Sequence, residues 1–84
     1  MAYTVNLKRS AEKELELLPK NIHSRIVNAL LFLKNNPFPY GVKKLHGREG
    51  YRIRVGNYRV LYLVEEADKK IEIVSIAHRK DVYR

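Results

Sequence analysis

The feature that most constrains the fold of this chain is an alternating pattern on either side of Gly56-Asn57. Tyr-Arg-Ile-Arg-Val precedes this dipeptide from residue 51, and Tyr-Arg-Val-Leu-Tyr-Leu-Val follows it to residue 64. Alternation with period two is typical of strands that bury one face, and a two-residue turn containing glycine joins antiparallel strands. The pattern therefore predicts a β-hairpin. Its register pairs Val55 with Tyr58, Arg54 with Arg59, Ile53 with Val60 and Arg52 with Leu61.

The predicted register sorts the hairpin side chains onto two faces of different character. One face is mostly apolar and can accept helices; it carries Tyr51, Ile53, Val55, Tyr58, Val60, Tyr62 and Val64. The other face carries three arginines, Arg52, Arg54 and Arg59. Like charges directly opposed across strands destabilise a sheet by about 0.2–1 kcal/mol, and an anion bound between Arg54 and Arg59 would reverse this effect. The pattern therefore predicts an anion-binding face.

Upstream of the hairpin, the sequence predicts a short strand followed by a helix. Residues 3–7 alternate and contain Thr and Val, which indicates a strand. Ser10 is the predicted N-cap of the helix, and Pro19 ends it. We interpret the glutamates of this helix as a solvated face without a catalytic role; they are Glu12, Glu14 and Glu16.

A second helix is predicted over residues 20–34, where an apolar stripe recurs every three to four positions. The stripe consists of Ile22, Ile26, Leu30 and Leu33, and Val27 and Leu31 widen it. Pro37 and Pro39 end the helix, and a loop rich in lysine and glycine continues to Gly50. A last strand over residues 71–77 follows the hairpin.

These elements predict an α+β fold in the order β-α-α-β-β-β, with a helical hairpin packed on one face of a small antiparallel sheet. We expect residues 1–84 to form a single domain, because so short a chain cannot divide its buried surface between two cores. If residues 66–69 form a four-residue turn, the next pairs are Val64 with Ile71 and Tyr62 with Ile73. This register places Ile76 and His78 on the arginine face, where we expect the function to reside.

The charge balance points to a polyanionic partner. The chain has 17 Lys and Arg against nine Asp and Glu, and residues 41–64 alone hold six bases and one acid. Such a field favours nucleic acid or acidic protein surfaces. The lack of cysteine and the scattered histidines argue against disulfides and zinc, so we expect no metal and no cofactor. No segment resembles a membrane span or a secretory signal, which predicts a cytoplasmic protein.

The C-terminal segment His-Arg-Lys-Asp-Val-Tyr-Arg adds a second group of candidate residues. His78 is a candidate for proton transfer at the predicted strand end. Arg79 and Lys80 add positive charge beside it, and Tyr83 supplies an aromatic ring and a phenol. Cations for phosphates together with a ring for an unstacked base suit RNA.

Over essentially the whole chain, the sequence resembles the RelE/ParE superfamily of bacterial and archaeal toxins, and within it the RelE branch. The resemblance rests on AEKELELL from Ala11, LKNNPFPYGVKKL from Leu33, YRIRVGNYRVLY from Tyr51 and HRKDVY from His78. It implies a RelE-like fold, similar to that of microbial ribonucleases, and a toxin of a type II toxin–antitoxin system. Such toxins bind the ribosomal A site and cut mRNA there, where the 2'-hydroxyl of the RNA attacks the adjacent phosphate without a metal.

By position, the resemblance also implies catalytic roles. Arg52 and Arg54 match the family's paired basic residues on one strand, and Arg59 matches its arginine on the next. Arg79 and Tyr83 match its carboxy-terminal arginine and tyrosine. Well-known RelE enzymes carry lysines in place of the first two, and a guanidinium is a poor general base. The identity of the base therefore stays open, with His78 as a candidate.

The resemblance further implies a cognate antitoxin that wraps the toxin and covers its basic face. Lys43, Lys44, Arg48 and Lys80 are expected to contact this antitoxin, the ribosome or RNA. Two other functions stay open: a ParE-like inhibitor of DNA gyrase with the same fold, and an RNA-binding module that does not cleave. The HRKDVY ending argues against the first of these.

Overall fold

The computed structural model describes residues 2–82 of the chain. The elements in chain order are β1 (Thr4–Leu7), α1 (Arg9–Glu16), α2 (Lys20–Asn35), β2 (Lys43–Lys44), β3 (Tyr51–Val55), β4 (Tyr58–Glu65), β5 (Lys70–His78) and α3 (Arg79–Val82). The strands form a five-stranded sheet in the order β1-β5-β4-β3-β2. The predicted α+β fold is confirmed, and β2 and α3 are short additions to the predicted element order.

The sheet is mixed, which corrects the prediction of a fully antiparallel sheet. β1 pairs with β5 in parallel, from Thr4 opposite Lys70 to Leu7 opposite Ile73. The pairs β2–β3, β3–β4 and β4–β5 are antiparallel. The alternation of residues 3–7 identifies a strand, but it carries no information on the direction of its neighbour, which comes from the far end of the chain.

The core lies between α2 and the apolar face of the sheet. α2 contributes Ile26, Leu30 and Leu33, none of which exceeds 6% exposure. The sheet contributes Ile53, Val60, Tyr62, Ile71, Ile73 and Ile76. Each large apolar side chain that becomes buried stabilises the fold by about 1.5–3 kcal/mol, so this contact holds the helices on one face of the sheet. No helix among the described residues is long and apolar enough to cross a bilayer.

Tyr62 fixes the segment that follows α2. Its side chain is fully buried, and its hydroxyl donates a hydrogen bond of 2.7 Å to the carbonyl oxygen of Pro37. Burial raises the pKa of Tyr62, because the phenolate would lose its hydration. Phe38 packs edge-to-face on Tyr51, with the ring centroids 5.1 Å apart. These contacts hold the proline-containing loop against the hairpin.

α1 differs from its prediction in two respects. The helix begins at Arg9, and Lys8 occupies the N-cap position without a side-chain hydrogen bond, so the prediction that Ser10 is the cap is wrong. Two of the three glutamates are exposed as predicted, whereas Glu14 is half-buried. Its Oε1 accepts a hydrogen bond of 2.9 Å from the N–H of Ile76 in β5. Helical spacing does not reveal this contact, because its donor lies in a distant strand.

Candidate functional site

The hairpin of β3 and β4 has the register that the sequence predicts, with Arg54 opposite Arg59. Gly56 has a φ of +60°, whereas Asn57 is not in the left-handed region. A positive φ at the first turn position alone is the type II′ pattern, which matches the twist of antiparallel strands. A Cβ at Gly56 would lie 3.2 Å from Nη1 of Arg25, so α2 also packs close to the turn.

Three arginines of the hairpin lie on the sheet face opposite to the helices. Arg54 is exposed and Arg52 is half-buried, whereas Arg59 retains only 3% exposure. Arg54 lies directly opposite Arg59, and Arg52 lies opposite Lys43 of β2. Cations therefore face each other at two places on this face, and the burial of Arg59 reduces the screening of its charge by water. This arrangement favours a bound anion.

Two adjoining depressions on this face are lined largely by cations. The first has a volume of about 320 Å³ and is lined by Gly41, Lys43, Arg52, Ile53, Arg54 and Arg59. The second has a volume of about 570 Å³ and is lined by Arg54, Arg59, Arg79 and Lys80. Arg54 and Arg59 belong to both depressions and connect them. We refer to the set of Lys43, Arg52, Arg54, Arg59, Arg79 and Lys80 as the arginine site.

A backbone contact brings Arg79 to the hairpin. Arg79 begins α3, directly after β5, and its N–H donates a hydrogen bond of 2.8 Å to the carbonyl oxygen of Asn57 in the hairpin turn. This contact fixes the end of β5 beside the hairpin arginines. Arg79 and Lys80 therefore lie next to Arg54 and Arg59. Tyr83, the other C-terminal candidate, lies outside the described residues.

β5 contains an irregularity that the sequence does not predict. Its first pairs with β4 follow the predicted register, with Val64 opposite Ile71 and Tyr62 opposite Ile73. The next pair joins Leu61 to Ser75, so Val74 is an extra residue on β5. Such a bulge changes the phase of the strand that follows it. The residues after Val74 therefore occupy faces opposite to those predicted.

The predicted placement of Ile76 and His78 on the arginine face is wrong because of this bulge. Ile76 lies opposite Val60 and is buried in the core. His78 lies opposite Tyr58, and the two rings pack edge-to-face with centroids 5.2 Å apart. The Nδ1 atom of His78 accepts a hydrogen bond of 3.3 Å from the N–H of Lys80. The imidazole therefore faces away from the hairpin arginines.

Comparison with known families identifies the class of this protein. The family described as ParE toxin of type II toxin-antitoxin system, parDE, matches residues 5–83. The chain belongs to this toxin family. It is therefore a toxin of a type II toxin–antitoxin system, within the predicted RelE/ParE superfamily.

Individual relatives carry the name RelE. Toxin RelE of Mycobacterium tuberculosis is 33% identical over 84 residues, which cover 98% of this chain and 87% of that protein. RelE1, a candidate toxin of Methanocaldococcus jannaschii, is 33% identical over 88 residues, which cover 100% of this chain and 98% of that protein. A chain in the crystal structure of the archaeal RelE–RelB complex from Pyrococcus horikoshii OT3 has a TM-score of 0.84 and 35% identity, covering 94% of this chain and 97% of that chain. These similarities confirm the RelE-like fold of the toxin.

Two other predicted binding residues of the toxin lie apart from the arginine site. Lys44 is exposed on β2, opposite Tyr51, and lines a separate depression of about 230 Å³. Arg48 is exposed in the loop between β2 and β3. A hydrogen bond of 2.9 Å from the N–H of Leu45 to the carbonyl oxygen of Gly50 closes this loop. Because Lys44 pairs with Tyr51, it lies on the face of the sheet opposite to the hairpin arginines.

The far end of the toxin's open face is acidic. A depression of about 480 Å³ there is lined in part by Glu49, Glu65 and Glu72. A hydrogen bond with Asp68 raises the pKa of Glu65, since it stabilises the protonated carboxyl. The open face thus has cations at the hairpin end and carboxylates at the other end. A polyanion on this face is attracted to the arginine site and repelled from the acidic end.

Tyr40 of the toxin is a candidate that the sequence interpretation misses. Its side chain is fully exposed, and the next residue, Gly41, lines the first depression together with Lys43. The alternating pattern assigns the hairpin tyrosines to the core and leaves Tyr83 as the exposed exception. The signal for Tyr40 is its position next to Pro39 in a loop, where periodicity does not apply.

Proposed function

We propose that this toxin is a RelE-branch endoribonuclease that cuts mRNA in the ribosomal A site and thereby inhibits translation. The observation that carries the proposal is the convergence of cations on two depressions that share Arg54 and Arg59. The planar guanidinium group suits phosphate, because its fork of N–H donors can bind two oxygens at once. The RelE names of the relatives add support, although the matching family carries the ParE description.

In the proposed reaction, the 2'-oxygen of a ribose attacks the adjacent phosphorus, and the bond from phosphorus to the 5'-oxygen breaks. The 2'-hydroxyl loses a proton, the 5'-oxygen gains one, and the products are a 2',3'-cyclic phosphate and a 5'-hydroxyl. Negative charge develops on the phosphorane oxygens, where preorganised cations stabilise it. Arg54 and Arg59 would hold the reacting phosphate, Arg52 and Lys43 a flanking phosphate, and Arg79 the leaving oxygen.

Proton transfer is the step that the arginine site does not explain. Guanidinium groups stay protonated at neutral pH and are poor general bases, and His78 packs against Tyr58. We therefore assign the arginine site the stabilisation of phosphorane charge and leave the base unassigned. Tyr83 is proposed to stack on or activate the nucleotide. The proposed reaction needs no metal ion to generate a nucleophile, because the RNA supplies its own 2'-hydroxyl, and the cations of the arginine site take the role of stabilising charge.

Tyr40 is proposed as a platform for an unpaired base beside the first depression. Single-stranded RNA is commonly held by stacking its bases on exposed aromatic rings, while cations bind the backbone. Tyr40 is fully exposed, and Gly41 and Lys43 line the depression. An RNA strand whose phosphates lie in the arginine site could thus stack one of its bases on the Tyr40 ring.

The partner that restrains the toxin is a cognate antitoxin, and the relative from Pyrococcus horikoshii is found in a RelE–RelB complex. We propose that the antitoxin contacts an apolar groove of about 550 Å³ between β1 and the two helices. The groove is lined mainly by Ala2, Tyr3, Val5, Leu7, Leu15, Val27, Leu30 and Leu31. Lys43, Lys44 and Arg48 would bind acidic groups of the antitoxin or ribosomal RNA. The toxin would act as a single domain in the cytoplasm, where translation takes place.

Primer extension on mRNA in a translating cell-free extract tests the proposal. We expect codon-linked cuts with the wild-type toxin, and a loss of about 100-fold or more with Arg59→Ala or Arg79→Ala, because each removes a cation from the developing charge. Arg9→Ala, at an exposed position on α1, is the matched control and should cut normally. Circular dichroism checks that every variant is folded.

The same assay separates the alternatives. Gyrase-dependent DNA breaks with intact mRNA would support a ParE-like gyrase inhibitor, which the family description favours. Ribosome or RNA binding without cuts would support a module that does not cleave. If Arg59→Ala and Arg79→Ala both still cut mRNA, the arginine site is not the catalytic site.

A further inference from the structure

The position of Arg79 depends on the bulge in β5. Before the bulge, Tyr62 lies opposite Ile73; after it, Ala77 lies opposite Arg59, and Arg79 follows two residues later. A strand that loses or moves a bulge shifts by one residue, which turns its side chains to the opposite face. Any group that holds the bulge in place therefore also controls how Arg79 is presented.

Glu14 holds β5 just after the bulge. β1 pairs with β5 only as far as Leu7 opposite Ile73, and the N–H of Lys8 then donates to the Ile73 carbonyl oxygen at 2.9 Å. Beyond this point α1 lies beside β5 in place of β1. There the carboxylate of Glu14 accepts the hydrogen bond of 2.9 Å from the N–H of Ile76. Glu14 thus supplies an acceptor where the neighbouring strand has ended.

The surroundings of Ile76 make this hydrogen bond consequential. Ile76 is only 2% exposed, so water has little access to replace the carboxylate. A hydrogen bond to an ionised acceptor is stronger than one between neutral groups, and a buried N–H without a partner is costly. Three residues later, the N–H of Arg79 donates to the Asn57 carbonyl oxygen at 2.8 Å. The last part of β5 is therefore held at both ends, by α1 and by the hairpin turn.

We propose that Glu14 is a positioning residue for the arginine site. By binding the Ile76 N–H it keeps the bulge in register, and the bulge presents Arg79 beside Arg54 and Arg59. This inference rests on the proposed ribonuclease function. It gives Glu14 no contact with RNA, so its effect must pass through Arg79.

A double-mutant cycle in the translating extract tests the inference. Glu14→Leu removes the acceptor and should lower the rate of mRNA cleavage about 10- to 100-fold, which is the scale expected for misplacing a group by about 1 Å. Glu14→Gln keeps an oxygen acceptor and should remain within about threefold of wild type, because the neutral hydrogen bond is weaker but intact. Glu16→Leu, at an exposed position on the same helix, should cleave normally. In an Arg79→Ala background, Glu14→Leu should lower the cleavage rate by less than about a further twofold, because the side chain that Glu14 positions is already absent.

The outcomes distinguish the inference from the function on which it rests. An equal loss from Glu14→Leu with and without Arg79 would overturn the positioning role and leave the ribonuclease intact. Normal cleavage by Arg79→Ala would also overturn the positioning role, because Arg79 would then have no effect to transmit, whereas no cleavage by the wild-type toxin would overturn the ribonuclease function itself. If Glu14→Leu does not fold, NMR on the wild type and Glu14→Gln decides. The amide proton resonance of Ile76 should move upfield in Glu14→Gln, because a neutral acceptor polarises the N–H less than a carboxylate does; an Ile76 amide resonance that the substitution leaves unchanged would refute the contact.

Discussion

Replacing Arg54 by Gln should stabilise the folded toxin while it impairs cleavage. Arg54 is exposed and lies directly opposite Arg59, so the substitution removes a like-charge pair and little buried surface. Removing the repulsion of one such pair should raise the free energy of unfolding by about 0.2–1 kcal/mol. For a domain of this size, 1 kcal/mol shifts the melting temperature by about 4–8 °C, so we expect an increase of about 1–8 °C at low salt.

Thermal unfolding at two ionic strengths measures this effect. At 10 mM salt the screening length is about 30 Å, whereas at 1 M it is about 3 Å, so the gain from Arg54→Gln should shrink as salt is added. Arg9→Gln, an arginine of α1 without a cross-strand partner, is the control and should not show the gain. Inorganic phosphate should raise the melting temperature of the wild type more than that of Arg54→Gln, because it binds between the paired cations. A lower melting temperature for Arg54→Gln at low salt would refute the reasoning.

Three further predictions concern the supports of the site. Tyr62→Phe leaves the Pro37 carbonyl without its partner and should cost about 1–3 kcal/mol in urea unfolding. Because burial raises the pKa of Tyr62, the stability that its protonated hydroxyl contributes is complete below about pH 10. The free energy of unfolding should then fall as the pH rises further, by up to about 1.4 kcal/mol per pH unit. The Phe variant should lack this pH dependence. Gly50→Ala places a Cβ 3.0 Å from the Tyr62 carbonyl oxygen at a φ of +121°, so it should lower the free energy of unfolding by more than about 2 kcal/mol. Gly47→Ala, where φ is also positive but the Cβ meets open space, should lower it by less. Tyr40→Ala should weaken binding of single-stranded RNA by about 1–3 kcal/mol in a fluorescence titration, and Tyr40→Phe should not.

The hairpin is predictable from the sequence because two independent signals agree on it. The alternation on both sides identifies the strands, and Gly56-Asn57 fixes a two-residue turn, so the opposition of Arg54 and Arg59 follows from counting. The first pairs of β4 with β5 follow in the same way, because a four-residue turn preserves the phase. The local sequence thus determines the local register, and the placement of the hairpin arginines on one face follows from it.

The end of β5 is not predictable by the same counting. The bulge at Val74 is not encoded in the alternation of residues 71–77, and the contact beside it comes from Glu14 of α1, which lies far away in the sequence. One extra residue moves His78 to the helix-packed face and Ala77 opposite Arg59. Arg79 nevertheless reaches the hairpin, because its backbone rather than the strand phase alone ties it to Asn57. The family resemblance predicted Arg79 as a site residue, whereas the alternating pattern placed His78, the residue just before it, on the wrong face of the sheet.

The way in which the sheet holds its cations links stability to function in this toxin. Arg54 and Arg59 lie opposite each other on adjacent strands whose backbones are fixed by the ladder, so both side chains start from the same place on the same face of the sheet. Burial of Arg59 deprives one of the two charges of screening by water. In the proposed function, a phosphate between them would reduce their mutual repulsion and interact with both cations at once. In the proposed reaction, a developing phosphorane, which carries more charge than the ground-state phosphate, would gain the most from these two cations.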